Sequence, residues 1–251
     1  MPAPFPPIIY MRPIPQNERA AVGEFVSMLI DLGKYQNEFE AALRLIDMCD
    51  AELERAGADR ARSRPMTIEQ QREAEEARGY EAVKAEETSY QAKTQQLIAW
   101  SRIAARDGAM TMFHYGKCTA LINRSVPKAL QTMSSAQKRK IGAKLFASLF
   151  PDFDDMRHSV AHAAEFYNDP AERLKHVVEG AAIKSDALNI GNPSAGVILA
   201  GTMEGRRFQS TMDGRVVAYE LTEKTLGSLN SVTQYYYSAF EEFQHPAKLG
   251  R

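Results

Sequence analysis

The 251-residue chain has only two cysteines and one tryptophan, no apolar run long enough for a bilayer, and no excess of charge of either sign. Each shortage excludes something. Cys49 and Cys118 stand far apart on helical patterns, so no disulfide framework organises the fold and a reducing compartment is expected. No stretch approaches the ~20 apolar residues of a membrane-spanning helix. The start, "MPAPFPPIIYMRPIP", lacks the charged and apolar regions of a signal peptide, so a cytoplasmic protein without a membrane partner is expected. With 31 Lys and Arg against 32 Asp and Glu, no global field draws the chain onto a polyanion. Any contact with nucleic acid must then use a local patch. Gly-rich phosphate loops, CxxC pairs, HExxH and internal repeats are also missing, so neither nucleotide-loop nor zinc-protease chemistry is indicated.

What is present reads mainly as helix. Prolines crowd the first 15 residues, which predicts an extended arm over 1–16. From Asn17, a candidate N-cap, Val22, Phe25, Leu29, Leu32, Phe39, Leu43 and Ile46 recur at threes and fours up to a stop at Gly57. The stretch "GADRARSRP", 57–65, reads as a basic loop, solvated through Arg60, Arg62 and Arg64. A long helix is expected over about 67–126, strongly polar in its first half and apolar in its second. Such a helix offers its polar half to a protein partner.

Ser134 or Ser135 can cap the next helix, which Pro151 ends, and "DFDDMRHSVAHAAEFYNDP" begins afresh with acids suited to a helix N-terminus. The period then changes to two. "GVILAGTM", "RRFQST" and "RVVAYEL" read as three strands with turns at Glu204-Gly205 and Asp213-Gly214, and Thr222 caps a last helix. The expected fold is mainly α: a helical bundle over 17–190, then a small three-stranded antiparallel β-meander and C-terminal helix over 191–251, packed on the bundle.

Chemistry concentrates in "DDMRHSVAHAAEF", 154–166. His158 and His162 lie four apart on one helical face and could hold a metal with Asp154 or Glu165. A third strong ligand would have to come from His114 or His176, whose contexts show no supporting acidic pattern. A structural reading pairs Arg157 and the histidines with Asp154, Asp155 and Glu165. A catalytic reading uses Arg157 and His162, about 140° apart on an ideal helix, with the arginine stem swinging its guanidinium toward the imidazole. A guanidinium that clamps phosphate oxygens, beside an imidazole that carries a proton near neutral pH, suits phosphoryl transfer without a metal or cofactor.

"RHSVAH", residues 157–162, resembles the R-x(4–6)-H motif of the HEPN superfamily, α-helical domains of many prokaryotic ribonucleases, toxins and defence proteins. His158 fits the polar residue that commonly follows the arginine. The resemblance covers about residues 20–185. It implies a metal-independent endoribonuclease whose site forms between the protomers of a homodimer. Arg157 would stabilise the phosphate, His162 would act as acid or base on the RNA 2′-OH, and His158 would assist, leaving a 2′,3′-cyclic phosphate. The alternative from another class is a non-catalytic protein-interaction module.

Three further stretches are singled out. Lys138, Arg139 and Lys140 sit near a helix N-terminus, against the dipole preference, and are expected to face solvent or an RNA substrate. "MFHYGK", 112–117, reads as core packing with His114 and Tyr115 satisfied by buried partners. "YYY", 235–237, reads as partly buried against the meander.

Overall fold

The computed structural model describes residues 4–63, 67–161, 168–179, 183–184, 189–190, 196–199 and 201–241. The chain divides into two compact units, one of residues Met1–Ala41 and Arg106–Arg251, the other of Ala42–Ala105. The fold is mainly helical, with a three-stranded antiparallel sheet before the C-terminal helix.

A 3-10 turn at Gln16–Glu18 leads into α1, Arg19–Ser63. Asn17 does not cap this helix. The entry is held instead by Arg19, whose Nε donates to the Ile14 carbonyl at 3.1 Å, and by Glu18, which accepts from the Ala129 amide at 2.7 Å. The arm before it is docked at Pro7, Ile9 and Ile14, all buried. Nor does Gly57 stop α1, and the predicted basic loop is helical up to Ser63. A helical glycine costs only about 1 kcal/mol against alanine. Here Arg60 grips both oxygens of Glu87 at 2.6 and 2.7 Å and lies over the Tyr90 ring at 4.3 Å, while Arg62 pairs with Asp59. These arginines serve the helices of the smaller unit, whose buried residues include Leu43, Ile46, Cys49 and Leu97.

The single long helix expected over 67–126 is two: α2, Ile68–Arg78, and α3, Tyr80–Arg124. Gly79 separates them at φ +82°, a left-handed backbone that side chains resist and glycine accepts. Arg78 and Glu86 bridge the break at 3.1 Å. After Pro127 come α4, Lys128–Gln131; α5, Ala136–Leu149; α6, Phe153–Ala161; α7, Pro170–Lys175; and the last helix, α8, Glu223–Ser238. Ser135 caps α5 through the Lys138 amide, and Thr222 caps α8 through the Thr225 amide, as the sequence pattern predicts.

The meander consists of β3, Thr202–Glu204, β4, Arg207–Met212, and β5, Arg215–Glu220, in that order. Asp213 and Gly214 both have positive φ, the conformation of the tight turn predicted between β4 and β5. Two shorter segments, β1, Ile183–Lys184, and β2, Asn189–Ile190, pair with each other. Central β4 is buried from Phe208 to Thr211, and α6 lies against β4 and β5.

The core of the larger unit joins Phe25, Leu29 and Leu32 of α1, Tyr115 and Ile122 of α3, Phe146 of α5, and Leu229, Val232 and Tyr236 of α8. Tyr115 shares a hydrogen bond with Thr233 Oγ1 at 2.8 Å, and Tyr237 donates to the Leu29 carbonyl at 2.9 Å. A Cβ at Gly33 would lie 2.8 Å from the Tyr237 hydroxyl, so the missing side chain is what admits that phenol. Within "YYY", Tyr236 and Tyr237 are therefore buried against α1 and α3 rather than the meander, and Tyr235 is exposed.

This burial has a pH consequence. Burial pushes the Cys118 thiol and the Tyr237 phenol up to about 12, and the Tyr115 phenol well above its ordinary value. Unfolded, these groups ionise near ~8.5 and ~10. At alkaline pH the unfolded chain thus releases protons that the folded chain retains, and stability falls. Denaturant midpoints should hold below pH about 8 and drop progressively between about 9 and 12. A midpoint unchanged at pH 11 would show that these groups are not held neutral.

Candidate functional site

The segment singled out by the sequence is α6. Pro151 separates it from α5, and Asp154 and Asp155 occupy its first turn. Its approach to α3 depends on Gly116, where an added Cβ would lie 2.5 Å from the Phe153 ring. With that space open, Phe153 packs on Phe146 and faces Phe113.

Both acids of the first turn are committed. Lys117 of α3 pairs with Asp154 at 2.9 Å. Arg215 of β5 donates to Asp152 at 2.7 Å and to Asp155, and its pKa rises, first through the Asp152 hydrogen bond. Neither acid is paired with Arg157. The half-buried Arg157 places its guanidinium 5.1 Å from the centroid of the Phe113 ring, and its Nε is buried with no hydrogen-bond partner among the described residues. Lys117 Nζ stands 5.0 Å from the same ring. Two cations of α3 and α6 therefore share one aromatic surface. A cation within about 6 Å of a ring face gains about 0.5–1 kcal/mol at a partly exposed site, which favours this placement of both.

His158 is half-buried on α6. His162 and Glu165 lie outside the described residues. Among the described residues no three His, Cys, Asp or Glu side chains gather as a metal site. The two histidines weighed as further ligands have separate roles. His176 is buried, and its Nδ1 accepts from the Asp213 amide at 3.1 Å, tying the end of α7 to the β4–β5 turn. His114 is exposed, contrary to the core role expected of it, and stacks on Tyr35 with ring centroids 5.8 Å apart. It also meets the Phe113 ring edge-on at 5.5 Å. Tyr115, its neighbour, does take the expected buried place.

The cluster at the start of α5 is mostly absorbed by the fold. Lys138 donates to the Ser238 carbonyl at 2.9 Å and pairs with Glu241 at 3.3 Å. Arg139 lies 6.0 Å from the Phe240 centroid, and burial pushes its guanidinium below the ordinary arginine value. Lys140 is exposed and Lys138 keeps 41% of its side chain in solvent, while Arg139 is half-buried and departs from the expected solvent-facing trio. All three stand at the opposite end of α5 from the turn into α6, roughly 15 Å along the helix at 1.5 Å per residue.

Sequence reasoning missed Lys117 and Phe113 as neighbours of Arg157. Their four-residue spacing put them on one face of α3, but nothing local said which helix that face would meet. An apolar cavity of about 560 Å³ also borders α6, lined by Met112, Phe150, Phe153, Met156 and Tyr219 among others. Its wall also holds Asp152, Glu220 and Lys224, and among the described residues neither arginine nor histidine lines it.

No family model matches this chain, and neither the curated proteins nor the solved structures contain a match to it.

Proposed function

We propose that this protein is a HEPN-like, metal-independent endoribonuclease in which Arg157 and His162 form a composite site and His158 assists. The observation that carries the reading is the charge allocation on α6. Asp154 and Asp155, the two described acids of those weighed as structural partners of Arg157, are spent on Lys117 and Arg215. Arg157 keeps its charge beside Phe113 with no carboxylate partner among the described residues. A guanidinium so held suits the scissile phosphate, whose equatorial oxygens gain charge as the 2′-oxygen attacks. His162 would take the 2′-OH proton, or deliver one to the 5′-oxygen that leaves, and the product would end in a 2′,3′-cyclic phosphate. The reading includes a homodimer, in which the second protomer's motif completes the site.

A non-catalytic interaction module is the second reading, and one observation favours it. Trp100 and Ile103 are exposed one turn apart on the stretch of α3 that belongs to the smaller unit. Large apolar side chains gathered on a surface mark contact with another macromolecule.

The two readings part on one assay. Purified protein is incubated with single-stranded RNA in excess EDTA, and 2′,3′-cyclic ends are scored. Cleavage that persists in EDTA and falls by about 10²–10⁴-fold in His162→Ala supports the general acid–base assignment. Cleavage that is indifferent to His162→Ala, or abolished by chelation, rejects it.

A further inference from the structure

The nuclease reading uses α6 and leaves one exposed feature of α3 without a role. His114 is an exposed imidazole stacked on Tyr35 of α1, and Phe113 lies between it and two cations. Lys117 and Arg157 stand 5.0 and 5.1 Å from the Phe113 centroid. Such a strip, an exposed stacked imidazole with positive charge beyond the next ring, is an arrangement that suits a nucleotide of a single strand. The base stacks on a flat ring and the phosphate meets the cations.

We infer that the Tyr35–His114 pair is a base-stacking platform that holds single-stranded RNA against the Lys117 and Arg157 cations. The inference takes its ligand class from the nuclease reading. It adds a subsite on α1 and α3, outside the motif of α6.

Several features favour this use over packing alone. A histidine in the core would be buried and hydrogen-bonded, as His176 is, whereas His114 is exposed. Tyr35 is half-buried and so fixes the imidazole plane from beneath, lowering the ordering cost of stacking a base on it. Asp154 offsets the charge of Lys117, and Asp31 and Glu38 lie near Tyr35, so Arg157 is the cation left to meet a phosphate and the nearby acids weaken its pull. Binding should therefore be modest in strength, tolerant of sequence because every base has a π-face, and dependent on salt.

The test is fluorescence anisotropy with a labelled 2′-O-methyl oligouridylate, which binds as single-stranded RNA and cannot form the cyclic product. His114→Ala should weaken binding by about 5- to 100-fold, the range of a lost base–aromatic stack. His114→Phe should bind within a few-fold of the original protein, because it keeps the flat ring. Arg157→Ala should flatten the dependence of log affinity on log salt by about 0.7, one single-strand phosphate contact. Thermal unfolding of each variant shows that the fold is retained, which the exposure of His114 leads us to expect.

Three results overturn the platform: no binding by the original protein, His114→Ala binding as tightly as it does, or an abasic strand binding as tightly as the oligouridylate. The platform and the nuclease fail separately. Loss of binding in His114→Ala with no cleavage by any form keeps the platform and rejects the nuclease. Cleavage that needs His162 yet ignores His114→Ala, with unchanged binding, does the reverse.

Discussion

If the ribonuclease reading holds, Arg157→Lys should reduce RNA cleavage by at least about a hundredfold while leaving thermal stability within about 1 kcal/mol of the original. The change keeps the charge and the aliphatic stem over Phe113, so the packing of α6 on α3 has little to lose. What goes is the planar fork, which meets two phosphate oxygens at once and which an ammonium cannot imitate. A group that stabilises transition-state charge in this way typically contributes about 3–4 kcal/mol, or two to three orders of magnitude in rate. Single-turnover cleavage of a short RNA, compared at saturating protein, measures this without interference from weaker binding. A lysine variant as active as the original would mean that Arg157 supplies only positive charge. An alanine variant equally active would remove Arg157 from the site altogether.

The second large effect is on folding. Phe25→Ala should destabilise the protein by about 3–5 kcal/mol, the range for emptying a buried phenylalanine site. Phe25 has no solvent exposure and meets the Phe240 ring edge-on with centroids 5.1 Å apart. It therefore links α1 to the residues that follow α8, more than 200 positions later in the chain. In a chain of this size each kcal/mol lowers Tm by roughly 2–4 °C, so a fall on the order of 10 °C is expected by calorimetry. Phe25→Leu, which keeps most of the volume, should lose less than half as much. A loss below about 1 kcal/mol in the alanine variant would mean that the pocket around Phe25 closes up or is wet.

Much of the helical architecture was legible because its signals are local. The threes and fours of Val22, Phe25, Leu29 and Leu32 mark the buried face of α1, and those residues are buried. Ser135 and Thr222 satisfy amide groups three residues away, so their capping depends on little else. Asp213-Gly214 turns the chain through its own backbone preferences. Glycine and the arginine-rich loop misled for the complementary reason. Gly57 is a weak breaker whose cost is overridden by the Arg60–Glu87 pair across 27 residues, whereas Gly79 takes a positive φ and does break the helix.

The candidate site divides along the same line. That Arg157, His158 and His162 follow one another at helical spacing is a property of the sequence alone, and it suffices to name them as a group. Which carboxylates neutralise which cations was not readable there: Asp154 went to Lys117 and Asp155 to Arg215, partners 37 and 60 residues away. Lys138 and Arg139 read as a charged surface until Ser238, Glu241 and Phe240 came to meet them. His114 read as core until its face of α3 proved to lie open beside Tyr35. By itself the sequence determined the mainly helical class, the caps of α5 and α8, the β4–β5 turn and the grouping of Arg157, His158 and His162, because each rests on interactions within a few residues. Tertiary structure alone decided where the charges are spent and which rings stand beside Arg157, because side chains distant in sequence meet only when helices pack.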